Sequence, residues 1–490
     1  LKEGWTMKKP ATKKRWVRRI IGYSLLGLLV YMILGATLPF ARFPEVSQEF
    51  QQSFSTDPFY SDTVGTDRAV LVETSQEALE YRLKILNEAE DRILFSTFDM
   101  SPDQSGTELY SMMLAAADRG VKVQILVDGL SGIKSLRKDM KNYALGTHPN
   151  IEIRFYNLPN PLLPWTFIGR MHDKFICVDN KFLLLGGRNS SNYFLGEYNP
   201  DVLSYDRDVL IYNGSGKEPE EGSVWQQIEA YFTSLWDGGD CTTVYDRVSK
   251  RKEEKLQEAA ASLRETHQRL LEERKELFDP DTDYVAMTVP TRKVSLIYNP
   301  IHKMSKEPWV WYQLTQLMKE ADSRVWIQTP YAVLNDAMYK ALESIGSDLD
   351  DYEMLTNSVA GGDNFMGSSD YIFNKEKILN TGITVYEFQG NHSMHNKSML
   401  LDGDLSIIGS YNLDMRSTYL DTETMLIIHG EEFAETLEDA MLAMWDQSLK
   451  VTPEGDYEAR EGVEPLVLSG SRKYLYPITS VVFQLFRFLL

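Results

Sequence analysis

With 490 residues, 43% of them hydrophobic, the chain has enough apolar material for two domains of ordinary size, each with its own core. A formal charge of −20 argues against a nucleic-acid groove as the main partner, because tracking a phosphate backbone needs basic surface. Cys177 and Cys241 are the only cysteines, so a disulfide framework is excluded by count, and Cys177, inside an apolar run, reads as a buried free thiol.

In chain order, residues 1–19 form a basic segment in which eight Lys or Arg stand against one Glu. Residues 20–40, Ile20 to Phe40, carry no charge and are rich in Leu, Ile, Val and Gly, long enough to cross a bilayer as one transmembrane helix. The run is long for a cleaved signal and offers no good Ala-x-Ala site, so it reads as an uncleaved anchor. The cations before it put that end in the cytoplasm and everything after it outside the cell membrane. Residues 41–68 read as a linker.

An α/β unit occupies residues 69–248. Its periodicity predicts helices over Glu77–Ala89 and Glu108–Arg119 and strands over Arg92–Phe98 and Val121–Asp128, followed by a hairpin. Ser249 to Leu277, dense in Lys, Glu, Gln and Ala without Gly or Pro, reads as an exposed helix with a solvated charged face, making 249–280 a charged helical linker. Residues 281–450 repeat the first unit, with strands at Val325–Gln328 and Glu353–Leu355 before a second hairpin. The tail, 451–490, ends in an apolar stretch from Tyr474 to Leu490 that is too short after Pro477 to span a bilayer. Two placements stay open for it: a helix in the membrane interface with Arg472, Lys473 and Arg487 near head groups, or docking onto the protein's own core.

The two hairpins carry one pattern, 223 residues apart. The first copy is Met171-His172-Asp173-Lys174, four residues, Asp179, then Gly186-Gly187-Arg188-Asn189; the second is Met394-His395-Asn396-Lys397, four residues, Asp402, then Gly409-Ser410-Tyr411-Asn412. Equal internal spacing in two copies points to one site assembled from two halves. Strand alternation projects His172 with Lys174 and His395 with Lys397, and the returning strand brings Asn189 or Asn412 back beside its own His. Two imidazoles, two ammonium groups and two carboxamides suit a phosphodiester. One neutral His attacks phosphorus and the other, protonated, donates to the leaving alkoxide, while Lys174, Lys397, Asn189 and Asn412 hold the non-bridging oxygens. That chemistry calls for no cofactor, and His392, three residues before His395, has no further ligands at metal-binding spacing.

These residues resemble the phospholipase D superfamily, named for the His-x-Lys-Asp pattern, over about Val70 to Leu449. Gly120-Val121-Lys122-Val123 through Asp128-Gly129, Thr329-Pro330-Tyr331, Thr356-Asn357-Ser358 and Asn412-Leu413-Asp414-x-Arg416-Ser417 are similar to the bacterial cardiolipin synthase branch. Arg170-Met-His-Asp-Lys and Gly-Gly-Arg-Asn followed by Asp206-Arg207-Asp208-Val209 narrow the likeness within it. The resemblance implies an α/β fold of two tandem αβα sandwich domains related by pseudo-twofold symmetry, with catalytic positions at His172, Lys174, Asp179, His395, Lys397 and Asp402. It also implies an acidic residue 25 to 36 positions past each His that orients the imidazole, and Asp208 and Glu423 occupy those places. Ser368 and Asn374 depart from a His and an Arg common in the family, so head-group contacts in the second half are expected to differ. The implied activity is a phosphatidyltransferase making cardiolipin from phosphatidylglycerol and a second phospholipid, phosphatidylethanolamine being one candidate, through a phosphohistidine. A phospholipase D releasing phosphatidic acid is the alternative, since the motifs are the same.

Overall fold

The computed structural model describes residues 11–136, 139–216, 219–346, 349 and 351–490. Residues 1–10, part of the basic segment, lie outside them. Ala11–Thr37 form α1. Within Arg15–Phe40 an apolar window of 18 residues has a mean hydropathy of 2.0, and the protein buries none of it. A helix this long, apolar and uncovered has the length and composition to cross a bilayer.

Each repeat builds one mixed sheet. In the first, β1 (Asp67–Val72), β2 (Arg92–Thr97), β3 (Lys122–Asp128), β4 (Ile151–Tyr156), β5 (Phe175–Val178), β6 (Phe182–Gly186), β7 (Asp208–Asn213) and β8 (Cys241–Val244) lie in the order β1-β7-β6-β5-β2-β3-β4-β8. In the second, β9 (Lys293–Tyr298), β10 (Arg324–Gln328), β11 (Asp351–Asn357), β12 (Thr384–Phe388), β13 (Ser398–Leu401), β14 (Leu405–Gly409), β15 (Thr424–His429) and β16 (Ser448–Lys450) lie in the order β9-β15-β14-β13-β10-β11-β12-β16. The two orders match strand for strand. Both sheets have a parallel centre, β2-β3-β4 and β10-β11-β12, flanked by antiparallel strands.

Helices cover both faces of each sheet. α2 (Ser75–Asn87) and α3 (Gln104–Asp118) close the outer face of the first sheet, and α2 starts at a full capping box between Thr74 and Glu77. α4 (Val224–Trp236) lies on the inner face. In the second half, α6 (Trp309–Glu320) and α7 (Asp336–Ile345) lie outside and α9 (Glu431–Trp445) inside; α8 (Phe365–Leu379) follows β11. The inner faces are not separate. Leu94, Leu185 and Trp225 of the first half and Trp326, Leu400 and Leu437 of the second belong to one buried cluster. Gln227 of α4 even accepts the backbone N–H of Leu296 in β9 at 2.7 Å.

The segments read as linkers are packed. α5 (Glu253–Glu273) is not an exposed helix: Leu256, Leu263 and Leu270, spaced by seven, bury one stripe against the first core, and only the charged faces meet solvent. Residues 289–290 then add an edge strand to β1, so the second unit starts at β9 rather than at 281. In the stretch 41–68, Phe43 stacks on Tyr419 at 4.1 Å and Phe50 on Trp309 at 4.5 Å, which fastens it to the second half. Of the two placements left open for the tail, docking onto the second half is realised: Tyr476 is buried, and Phe488 to Leu490 pack against its core.

Because Leu263 is fully buried, Leu263→Ala is expected to lower unfolding free energy by about 2–5 kcal/mol. The exposed neighbour Glu265→Ala should stay within about 0.5 kcal/mol. Urea denaturation of both variants in detergent checks this, and equal effects would mean that the stripe is not packed.

Candidate active site

Both hairpins have the same register. Gly186 N–H donates to Lys174 O and Gly409 N–H to Lys397 O, each at 3.2 Å, so Asn189 and Asn412, three residues on, return to the level of His172 and His395. The chain just ahead of each His is held by the opposite half. Met171 bridges Thr422 in parallel and His172 N–H donates to Thr422 O; Met394 pairs with Tyr205 in parallel and His395 N–H donates to Tyr205 O at 2.6 Å.

That crossing decides which carboxylate meets which imidazole. Glu423, the residue after Thr422, lies with Oε1 2.9 Å from His172 Nδ1; Asp206, the residue after Tyr205, lies with Oδ2 2.6 Å from His395 Nδ1. Glu423 therefore serves the His of the other half, not its own. Asp208 does not orient an imidazole: it sits inside β7, where its carboxylate pairs with Arg82 at 2.9 Å and Arg188 at 3.3 Å. Asp206 takes the role expected of it. Aligning the two sheets would have found it, since Gly186 pairs with Asp208 where Gly409 pairs with Met425, making Asp206 the counterpart of Glu423.

The motif aspartates are also displaced from the expected site. Asp179 accepts backbone N–H groups of Glu90, Asp91 and Arg92, and Asp402 those of Asp322, Ser323 and Arg324. Each brackets the start of β2 or β10, seven extended residues and about 20 Å from its His. Both residues have φ near +50°, a left-handed turn conformation that Asp tolerates.

The lysines stay beside the histidines. Lys174 Nζ donates to His172 O at 2.5 Å, and Lys397 Nζ donates to His395 O and lies 2.7 Å from His395 Nδ1. Nδ1 has one hydrogen-bonding valence, and Asp206 takes it. Asn189 Oδ1 accepts from Asp99 N–H at 3.3 Å, while Asn412 Oδ1 is buried without a partner among the described residues. Aromatic edges wall the imidazoles: Phe98 stands 5.3 Å from His172, and Phe194 and Tyr331 stand 5.2 and 6.3 Å from His395. These were not legible as site residues.

Burial governs the protons. It lowers Lys174 to about 7 and Lys397 to about 8, against the pull of Glu423 and Asp206. Burial and Lys174 hold His172 well below the ordinary imidazole value, and His395 and Lys397 add to the effect across the halves. His395 is also lowered, by burial and then Lys397, with Asp206 opposing. The carboxylates differ. Burial would raise Asp206, but Lys397 and His395 outweigh it and hold it at about 2, whereas burial pushes Glu423 up to about 8 with Lys174 opposing. With Nδ1 committed to a carboxylate, each imidazole presents Nε2 to a substrate, as a nucleophile when neutral and as an acid when protonated. Among the described residues no three His, Cys, Asp or Glu converge as metal ligands.

A family profile described as "Cardiolipin synthase, PLD-like domain" matches residues 83–236 and 314–445, more than half of the chain. A Helicobacter pylori J99 protein described as uncharacterized is 26% identical over 437 residues, covering 78% of this chain and 82% of its own. Cardiolipin synthase C of Escherichia coli K12 is 27% identical over 415 residues, covering 75% and 82%. Among solved structures, phosphatidylserine synthase of Haemophilus influenzae Rd KW20 shares the fold, with a TM-score of 0.61 at 14% identity over 90% of this chain and 99% of that one.

The two neighbouring aspartates should separate cleanly. Asp206→Asn is expected to cut turnover by roughly 10²–10⁴-fold with the fold intact. By removing the anion that raises His395, it should also shift the basic limb of the pH–rate profile to lower pH. Asp208→Asn leaves Arg82 and Arg188 short of a buried counter-ion and should cost about 3–5 kcal/mol of stability. Turnover against pH and urea melts of both variants decide; a catalytic loss in Asp208→Asn matching that of Asp206→Asn, at unchanged stability, would reverse the assignment.

Proposed function

The chain belongs to the cardiolipin synthase family of phospholipase D-like enzymes, and from that membership we propose that it makes cardiolipin by moving a phosphatidyl group from one phospholipid to phosphatidylglycerol. The observation that carries this reading is the pair of crossed contacts, Glu423 on His172 and Asp206 on His395, which place two oriented imidazoles among two lysines and two carboxamides.

In the proposed reaction Nε2 of His172 attacks the donor phosphorus in line. The bond from phosphorus to the head-group oxygen breaks, and protonated His395 gives that oxygen its proton. The phosphatidyl group stays on His172 as a phosphohistidine. His395, now neutral, removes the proton from a hydroxyl of phosphatidylglycerol, whose oxygen attacks phosphorus and frees His172. The strong lowering at His172 favours the neutral nucleophile, and the fixed anion of Asp206 favours the acid at His395. Lys174 and Lys397 neutralise the non-bridging oxygens, and the amide N–H groups of Asn189 and Asn412 hold them by hydrogen bonds. Phosphatidylglycerol is donor as well as acceptor, or phosphatidylethanolamine is the donor. Positive charge ahead of the uncharged run Ile20 to Phe40 favours an N-terminus in the cytoplasm and catalytic halves outside.

His172→Ala and His395→Ala are each expected to lower turnover by several orders of magnitude, roughly 10⁴-fold or more, because nucleophile and acid act as a unit. With labelled phosphatidylglycerol, alone and with phosphatidylethanolamine, the products should be cardiolipin with glycerol or ethanolamine, and acid-labile phosphate should be trapped on His172. Phosphatidic acid alone at saturating phosphatidylglycerol would favour hydrolysis.

Protease added to intact spheroplasts should degrade the chain beyond residue 45 and spare an N-terminal tag. A cut tag with surviving catalytic halves would invert the topology.

A further inference from the structure

The docked tail is apolar on both sides. α10 (Arg472–Val482) and the short turns Phe483–Leu485 and Arg487–Leu489 lie along α8. On the inner side Tyr476 stacks on Phe365 at 4.8 Å, and Arg487 pairs with buried Asp370 at 2.9 Å. On the outer side Ile478, Val481 and Leu485 are 62%, 58% and 71% exposed, and no described residue covers them. A surface helix in water turns polar residues outward, and this one does not.

The membrane helix tells what lies on that side. Tyr31 of α1 donates its hydroxyl to Leu162 O at 2.7 Å, and Gly35 lies against the Pro164 ring. Leu162 itself is 74% exposed. This loop runs on to Ile168, whose carbonyl accepts from Arg416; the same guanidinium binds the carbonyl of Leu489 at the end of the tail. Arg416 thus ties the end of the tail to the loop on which α1 rests. Arg472 and Lys473 open α10 with cations in a chain whose net charge is −20, the sign that suits anionic head groups.

We infer that the outward stripe of α10 and the loop tip at Leu162 are seated together in the lipid leaflet where α1 emerges, with the phospholipid bilayer as their occupant. The seat borders both halves of the site. The Leu162 loop leads directly into Met171 and His172. Arg472 donates to Gly362 O at 2.9 Å, and the next residue, Asp363, accepts from Tyr331, whose ring faces His395. Lipid drawn from this leaflet reaches the imidazoles without crossing water. This last step rests on the proposed transferase reading; the seat itself does not.

The test uses the full chain in nanodiscs of phosphatidylethanolamine and phosphatidylglycerol, with Cys241→Ser and a fluorophore on Leu485→Cys, Leu162→Cys or Leu442→Cys, the last an exposed position on α9. Lipids brominated on the acyl chain should quench the first two probes and leave the third bright. Quenching does not depend on the reaction, so it should persist in His172→Ala. A Leu485 probe no more quenched than Leu442, whether wet or shielded by a second copy, overturns the seat. Ile478→Glu with Leu485→Glu should lower turnover on bilayer lipid by about ten-fold or more at unchanged thermal melting, while Leu442→Glu has no effect. Equal turnover of the two variants overturns the delivery of lipid from the seat to the imidazoles.

Discussion

Two hydrogen bonds that cross between the halves set the terms for the rest of this structure: Glu423 to His172 and Asp206 to His395. A hydrogen bond tolerates only a few tenths of an ångström, so the halves must be held to each other that closely. Much of the inner architecture meets that demand. The shared cluster under α4 and α9 leaves no solvent layer between the sheets. Fully buried Arg207 of the first half binds Gln328 and Ser398 of the second at 2.6 and 2.7 Å. Asp173 accepts from Thr422 across the same boundary at 2.6 Å. Neither half presents an oriented imidazole by itself.

The symmetry is not exact, and its breaking is chemical. Gly187 and Ser410 hold equivalent places after the returning strands. A Cβ on Gly187 would collide with the Asp206 carboxylate, so the first copy must be Gly-Gly. In the second copy the longer Glu423 leaves room for a hydroxyl, and Ser410 donates to it at 2.5 Å. The two acids then titrate apart, Asp206 a fixed anion and Glu423 a carboxyl that burial keeps avid for a proton. One imidazole is thus pushed toward neutrality and the other kept nearer its charged form, a separation of roles that a symmetric pair could not supply.

Sequence periodicity carried the repeats, the hairpins and the apolar N-terminal helix, because apolar alternation and an uncharged 21-residue run are local signals. His172 and Lys174 lie just ahead of β5, and His395 and Lys397 just ahead of β13, rather than within the strands, and the extended chain there still sets each Lys against the carbonyl of its own His. What failed depended on contacts between distant segments. Asp206 and Asp208 stand two residues apart, Asp208 opening β7 and Asp206 just ahead of it, and only the crossing of Tyr205 onto Met394 makes Asp206 reach an imidazole. Asp179 and Asp402 belong to the same motif as the histidines yet lie at the other end of the sheet, since a strand carries its two ends apart. The charge density around Leu256, Leu263 and Leu270 hid a buried stripe that a count at spacing seven would have shown.

The proton inventory of the site follows from the same burial. Four basic side chains lie within reach of one another, and charging all of them without an anion would be costly. Instead the imidazoles are held below their usual range, and Lys174 and Lys397 drop to about 7 and 8. A phosphodiester entering among them supplies the missing negative charge. An anion bound there raises the proton affinity of each basic group it touches. The closeness of the halves that sets the two crossing hydrogen bonds is also what keeps water from these groups, and the resulting desolvation is the largest cause of their lowered proton affinity.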